Sequence, residues 1–332
     1  MTDLKCRICG NAGGNVPYTV AERKIGLGDT FSYFQCRNCD CLQILTIPEN
    51  MSRYYPPDFN SFTIKPDVLY GNVFLRLFLN MRDRYAVFNK GLIGKLLYNL
   101  YPNSNLKALS FIRTLTESSI LDVGCGSGYD LYALREMGFH TTLGIDLFID
   151  KDLTYSNGTT IRQGDVFSLK NDRMWDIIMF HHSFEHMEDP FSVLKAVASL
   201  LSPQGVCIIR IPVVPSYAWT HYRECWVQID APRHFFIHSV KSMQLLAEQS
   251  GLTVSQPIYD STSLQFYGSE EYLLNIPLNS SRSYHVNRSS SLFSRRQLRC
   301  YDKQSRSLNR DKQGDQAIFF LTRKDSLHHT ST

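Results

Sequence analysis

Three groups of residues in this 332-residue chain have the types and the spacing to do chemistry. In "ILDVGCGSGYD", Gly124, Gly126 and Gly128 alternate directly after an apolar run, and Asp122 stands two residues ahead of them. Glycines placed this way let the backbone turn sharply and come close to a ligand. The loop that seats a pyrophosphate on a helix N-terminus is spaced G-x-G-x-x-G. Here the spacing is G-x-G-x-G, and a carboxylate at Asp122 would repel phosphate, so the near end of the ligand should be cationic. Asp146 closes the next apolar run, 22 residues after Gly124, the distance at which one strand–helix–strand unit brings an acid to a ribose diol. Asp165 closes the third run in "QGDV", where it can accept a hydrogen bond from an adenine amino group. Three successive strand ends thus offer carboxylates to an amine, a ribose and an adenine, with no provision for phosphate.

The second group is four cysteines, Cys6 with Cys9 and Cys36 with Cys39, two C-x2-C pairs separated by 26 residues. In a reducing compartment such knuckles form a tetrahedron of thiolates around structural Zn2+ far more often than they form disulfides. Cys41, two residues past Cys39, competes for the fourth place. A closed four-thiolate site has no open position, so the metal organises the fold and does no chemistry. The third group is imidazole: His181, His182 and His186, with Glu185, after "WDIIMF", and His234 after Pro232 and Arg233. Histidine titrates near neutral pH and serves as a general base there. His186 beside Glu185 is the first choice and His234 the second. Arg233 is open to two readings, a clamp for an acceptor phosphate or carboxylate, or a surface or salt-bridge role. Tyr222 and Trp226 either stack on a sugar ring or pack in the ordinary way. Cys125 reads as a small filler in the glycine loop, not as a nucleophile.

Such residues need a scaffold that lines up strand ends. From Ser119 the runs "SILDVG", "TTLGIDL", "TIRQGDV", "WDIIMFHH", "GVCIIRIP", "TVSQPIY" and "AIFFLTRK" read as strands. Between them Tyr129 to Met137, Asp189 to Leu201 and Ser239 to Gln249 read as helices, with Asp189 and Ser239 as caps and Pro190 at a first helical position. Wholly apolar strands alternating with helices predict a parallel sheet covered on both faces. Ahead of it, apolar residues at three- and four-residue steps between Tyr70 and Leu115 predict two or three amphipathic helices, with Arg76, Arg82 and Arg84 toward the polar side. Packing on the following domain is the expected role, a membrane-surface or lid role the other reading. The Ser-, Arg-, Asn- and Gln-rich stretch 279–316 predicts a flexible polar insert. The expected division is a zinc-binding unit at 1–50, then a linker and helical segment at 51–116 that includes the proline-broken "SRYYPPDF", and an α/β unit at 117–332.

A ligand with an amine, a ribose and an adenine but no phosphate is S-adenosylmethionine. Over residues 117–260 the chain resembles the class I S-adenosylmethionine-dependent methyltransferases: "ILDVGCGSG" matches their first motif, and "GID", "GDV", "WDIIMFHHSFEH" and "LLSPQG" follow in order. The resemblance implies a Rossmann-like α/β sheet with helices on both faces. It implies cofactor contacts from Asp122, Gly124, Cys125, Gly126, Gly128, Asp146, Leu147, Asp165, Val166 and His181. The cysteine knuckles, the aromatic linker and "WVQIDAPRHFFIHSV" resemble the branch that acts in sugar and surface-polysaccharide pathways, including zinc-bearing sugar C-methyltransferases. Their Glu-His pair is similar to Glu185 and His186. Implied is methyl transfer to a hydroxyl or carbon of a sugar, nucleotide-linked or part of a glycan precursor. The 279–316 stretch departs from that pattern.

Composition narrows the alternatives. Apolar residues at 43% and charged residues at 20% are the balance of a soluble globular protein. No window approaches the ~18 apolar residues of a membrane-spanning helix, and no secretory signal is visible near Asp3, so the expected location is cytoplasmic. The net charge of +4 is uneven: 14 basic and 9 acidic groups over residues 1–120, 10 and 16 over 121–260, and 11 and 6 over the remainder. An acidic middle without a Lys/Arg stripe argues against a nucleic-acid partner. It therefore weakens the competing reading, a zinc-assisted RNA base methyltransferase, and leaves a small-molecule or glycan acceptor.

Overall fold

The structure is a computed structural model that describes residues 4–56, 64–169, 173–290 and 292–324. The "SRYYPPDF" linker begins in a 3-10 turn at Met51–Tyr54, and its last three residues lie outside the described ones. Behind the cysteine turns, β1 (Val16–Ala21), β2 (Thr30–Gln35) and β3 (Leu42–Ile44) form an antiparallel meander. Helices follow at Pro66–Gly71, Val73–Phe88, Leu92–Leu100 and Ser104–Ala108. The last three fall in the stretch where periodicity predicts two or three, and Asn72 and Asn103 each cap a start with their side chains. Arg82, expected toward the polar side, is buried instead. It pairs with the buried Asp83 at 2.8 Å, and Tyr70 and Asn103 reach the same carboxylate. A charge pair that satisfies itself can face the core, where a lone guanidinium could not.

The main sheet contains β4 (Ile120–Val123), β5 (Thr142–Asp146), β6 (Leu153–Thr154), β7 (Thr160–Gln163), β8 (Trp175–His181) and β9 (Leu201–Pro212). After β10 (Phe236–Ile237) it gains β11 (Leu252–Val254), β12 (Ile258–Tyr259) and β13 (Gln316–Arg323). The order is β11-β13-β9-β8-β4-β5-β7-β6, with β12 on β13. The run β9-β8-β4-β5-β7 is parallel, as the continuous apolar strands predict, but both edges are antiparallel. β13 starts with Gln316 opposite Pro212, the last residue of β9, and so runs back along it. Side chains alternate between two cores, Ile177 and Met179 on one face of β8 and Ile178 and Phe180 on the other. Each such side chain contributes about 1.5–3 kcal/mol by leaving water.

One of those cores is shared with the cysteine-bearing unit. Tyr33, Phe34 and Leu42 belong to the same cluster as Val193 and Leu246, and β10 extends the front meander by pairing Ile237 with Leu42. The two regions are therefore joined by both a sheet and a core. The 279–316 stretch, expected to be flexible, carries the 16-residue helix Arg295–Arg310. Ser294 and Gln297 make a capping box at its start. Ser305 and Leu308 turn inward, Tyr301 stacks on Phe266 at 5.1 Å, and the Asn309 amide donates to the Ser261 carbonyl at 2.9 Å. Most of this helix faces solvent, so its polar composition hides a few effective anchors.

Candidate active site

At the end of β4 the chain turns on Gly124 and Gly128, both at φ +74°. A Cβ at Gly124 would stand 2.5 Å from Ser183 Cβ, and one at Gly128 would stand 2.2 Å from Ile161 Cδ1. Gly124 therefore requires glycine for space as well as for conformation, and Gly128 requires it for conformation. Between them the Gly126 N–H donates to Asp146 Oδ2 (2.8 Å), and the Phe148 N–H donates to Asp146 Oδ1 (2.9 Å). That carboxylate ties the loop to the end of β5. The loop borders a cavity of about 480 Å³ that Asp122, Cys125, Asp130 and His181 line together with the segment 102–105. Asp122 is 4% exposed. Burial, then Asp130 and Asp146, push its pKa well above the usual carboxylate range, with no hydrogen bond to oppose them. Both ring nitrogens of His181 are buried without a partner, and burial keeps the ring neutral.

The expected cofactor residues are brought together unevenly. Asp122, Gly124, Cys125, Gly126 and His181 line the cavity, while Gly128 and Asp146 shape the loop. Leu147 is exposed and Val166 buried. Asp165 is exposed, and its Oδ1 accepts the N–H groups of Phe167 and Ser168 at 3.0 Å each, capping the turn Val166–Ser168.

A second cavity of about 370 Å³ shares His182 with the first. Its walls come from distant parts of the chain: Lys24 near the front, His186 after β8, Asp230 and His234 ahead of β10, and Asn279 and His285 from the polar stretch. Glu185 is fully buried behind it, and neither of its oxygens has a hydrogen-bond partner. His182 Nδ1 lies 3.5 Å and His234 Nε2 3.8 Å from Glu185 Oε1. A ring nitrogen of His186 is within 4.8 Å of both Glu185 and His234. Burial favours the neutral acid, but the surrounding imidazoles outweigh it and hold the Glu185 carboxyl below its ordinary range.

Hydrogen-bond partners assign the protons on these rings. Arg210 Nη1 donates to His182 Nε2 at 2.7 Å, so His182 carries its proton on Nδ1, toward Glu185. His186 Nδ1 donates to the Arg233 carbonyl (2.7 Å), and His234 Nδ1 donates to the Gln228 carbonyl (2.8 Å). In the neutral rings both Nε2 atoms are left with lone pairs. His234 is 5% exposed, and burial together with His186 pushes its pKa down to about 4. His186 is only half-buried, so its lone pair is the more accessible.

Arg233 takes the salt-bridge role, and does so in the interior. Its fully buried guanidinium meets Asp230 Oδ1 at 2.6 Å, Glu22 Oε1 at 2.7 Å and the Tyr54 carbonyl at 3.0 Å, while Lys24 holds Asp230 Oδ2 at 2.8 Å. No part of that guanidinium is left exposed to clamp an acceptor. Trp226 and Tyr222 are likewise packed: Trp226 Nε1 donates to Asp315 (2.9 Å) and Tyr222 Oη to Glu270 (2.9 Å), with both rings buried.

The four front cysteines bring their sulfurs within 4.8 Å of one another, with Cys6–Cys39 at 3.6 Å and Cys9–Cys36 at 3.5 Å. Thiolates about 2.3 Å from a tetrahedral zinc stand about 3.8 Å apart, so this donor set fits that ion. Gln43 Nε2 donates to Cys6 Sγ at 3.1 Å. Cys41 lies outside the group, its thiol toward the Leu42 carbonyl.

Sequence reasoning passed over Asp130, Asn103, Asn105 and Arg210. The Asn103 and Asn105 amides donate to opposite oxygens of Asp130 at 3.3 and 2.8 Å, and Arg210 binds Asn105 at 3.0 Å and Asp260 at 2.6 Å. Asp130, an acid in the first turn after the glycine loop, was legible. The amides come from a segment with no motif, and Arg210 sits within an apolar strand whose register alone aims it at His182.

Residues 98–256, just under half of the chain, match the family model of a methyltransferase domain. The ubiquinone biosynthesis O-methyltransferase of Rickettsia bellii (strain OSU 85-389) is 29% identical over 110 residues, which is 31% of this chain and 45% of that protein. The protein of the same name from Haemophilus ducreyi is 35% identical over 103 residues, 27% and 43% of the two chains. The chain thus spans less than half the length of these curated relatives. Among solved structures, a chain from the complex between the Haloferax volcanii Trm112 methyltransferase activator and a methyltransferase aligns at a TM-score of 0.45 and 16% identity, covering 73% of this chain and 97% of that one.

Proposed function

We propose that this chain is an S-adenosylmethionine-dependent methyltransferase, with the cofactor in the glycine-loop cavity and a sugar acceptor in the second. The observation that carries the reading is the meeting of the two cavities at His182. A pocket with a buried, unpaired carboxylate adjoins a pocket bordered by imidazole lone pairs. When bound, S-adenosylmethionine supplies a methyl group already activated on sulfur. Positioning and proton removal remain for the protein. Asp122 receives the cationic end of the cofactor, Asp146 its ribose diol and Asp165 its adenine amine. The lone Asp122 carboxylate and the two unpartnered nitrogens of His181 are the groups such a ligand would satisfy.

His186 Nε2 takes the proton of the acceptor. Its ring is held by the Nδ1–H bond to the Arg233 carbonyl, and the buried Glu185 carboxylate stabilises the imidazolium that forms. Lys24, Asp230, Asn279 and His285 offer donors and acceptors around the second cavity, which suits a polyhydroxylated acceptor. Zn2+ on Cys6, Cys9, Cys36 and Cys39 would hold the unit that contributes Lys24 and Glu22. A second reading, an oxygen of another small-molecule acceptor, is favoured by the curated relatives, which are named O-methyltransferases.

Calorimetry on the zinc-loaded chain with S-adenosylmethionine and its demethylated product tests the cofactor. A labelled-methyl assay over nucleotide sugars, glycans and phenols then tests the acceptor. Uptake of both compounds and label on a sugar are the expected results. Label on phenols alone selects the second reading, and absence of uptake for either compound ends both.

A further inference from the structure

The helices ahead of the main sheet leave an apolar face uncovered. Val73–Phe88 and Leu92–Leu100 form an antiparallel pair, with Phe78 against Tyr101 and Tyr85 against Tyr98. The inner side of Val73–Phe88 packs Leu79, Ala86 and Val87 with Leu131 and Phe139. Elsewhere on the pair Phe74 is 85% and Leu92 88% exposed, and Val73, Leu77, Ile93, Leu96 and Leu100 are each more than half exposed. At 3.6 residues per turn, Leu92, Ile93, Leu96 and Leu100 fall within an arc of about 100°. Gly94, on the other side of that helix, is pressed against the Met81 backbone. Single exposed apolar residues are ordinary, but a set of this size on two adjoining helices marks a contact surface.

Charge indicates what meets it. From Val68 to Thr116 the only acid is Asp83, which is buried and paired with Arg82. Lys90, Lys95 and Arg113 are exposed, Lys95 flanking the apolar arc and Lys90 lying in the turn between the helices, while Arg76 pairs with Glu136 at 2.6 Å and Arg84 donates to the Met137 carbonyl at 3.3 Å. A two-fold contact with a second copy would set these cations against themselves. We propose that this face docks on an anionic lipid bilayer, its apolar side chains entering the headgroup boundary and its cations meeting lipid phosphates. The exposed Tyr101 suits that boundary. Among the described residues no helix is long and apolar enough to cross a membrane, so the attachment is peripheral. Leu92–Leu100 leads directly into the segment 102–105 that lines the glycine-loop cavity. Docking thus brings the site to acceptors carried at a bilayer surface, a consequence that rests on the proposed function although the docking itself does not.

The test is co-sedimentation of the zinc-loaded full chain with vesicles, read without cofactor or acceptor, so that failure of the methyltransferase reading leaves it untouched. The parent should bind vesicles of phosphatidylcholine with phosphatidylglycerol, should ignore pure phosphatidylcholine, and should release as salt rises. The pairs Leu92→Glu with Leu96→Glu, and Lys90→Glu with Lys95→Glu, should each weaken binding about tenfold or more. All four side chains are exposed, and calorimetric cofactor uptake by these variants should match the parent. Absence of binding to the anionic vesicles overturns the proposal, as does parent-like binding by both variants. A parent dimer in ultracentrifugation that the same substitutions dissolve would assign the face to a second copy.

Discussion

Around the glycine loop, Asp122 is buried with no donor, and Asp130 is bonded by the amides of Asn103 and Asn105, with the charges of Arg210 and Arg82 near it. In the wall of the second cavity, Asp230 and Glu22 share the buried Arg233, and Lys24 closes the remaining Asp230 oxygen. Both regions bury carboxylates, but the first leaves Asp122 without a counter-charge and the second builds one in for each acid. A buried charge without a partner destabilises the fold until a ligand arrives, whereas a paired one only holds a shape. The first region therefore leaves a carboxyl open to a ligand, and the second holds the loop that carries the His234 ring and the Arg233 carbonyl.

Removing the built-in cation should have the largest effect. Arg233→Met leaves the buried Asp230 with Lys24 alone and the buried Glu22 with backbone N–H donors but no cation, and should cost about 3–5 kcal/mol, a fall of about 10 °C in Tm by thermal denaturation. An unchanged Tm would erase the contrast between the regions. His186→Ala should lower turnover about 100-fold while cofactor affinity by calorimetry stays within about twofold. Parent-like turnover would remove His186 as the base.

Asp122→Asn should weaken cofactor binding about tenfold and yet raise the Tm of the cofactor-free chain by a few degrees. The sign follows from its raised folded pKa. The native state keeps a proton that the unfolded chain releases, so stability is greatest below the unfolded carboxylate value near ~4 and declines as pH rises toward the folded value. A cationic ligand favours the ionised form, so parent affinity should climb with pH through the same window and the Asn variant should lose that slope. The smallest effect is expected at Tyr55→Phe. The Tyr55 hydroxyl stands 3.4 Å from His186 Nδ1, but the Arg233 carbonyl already takes that proton at 2.7 Å. Turnover should change by less than about threefold; a larger loss would show that the ring is oriented from the linker rather than from the Arg233 loop.

Legibility followed how local each cause is. The glycine turns and the caps at Asp189 and Ser239 depend on neighbours within a few residues, and the parallel middle of the sheet announces itself by wholly apolar strands alternating with helices, so all of them could be read along the chain. The helix Arg295–Arg310 depends on a capping box and a few anchors, Leu308 and Tyr301 among them, and composition masked it. The face of Arg82, the antiparallel return of β13 and the joining of β3 to β10 depend on partners far away in sequence, and none of them was visible there.

Residue types alone settled that a thiolate tetrahedron and a phosphate-free glycine loop with acids at successive strand ends were available, because cysteine spacing and backbone freedom are properties of the local chain. Tertiary structure decided which charges are taken. Arg233 could equally have clamped an acceptor until Glu22, 211 residues away, arrived beside it. His182 could have carried its proton on either nitrogen until Arg210 claimed Nε2. An ionisable group acquires its role from the dielectric and the partners around it, and those exist only once the distant segments have met.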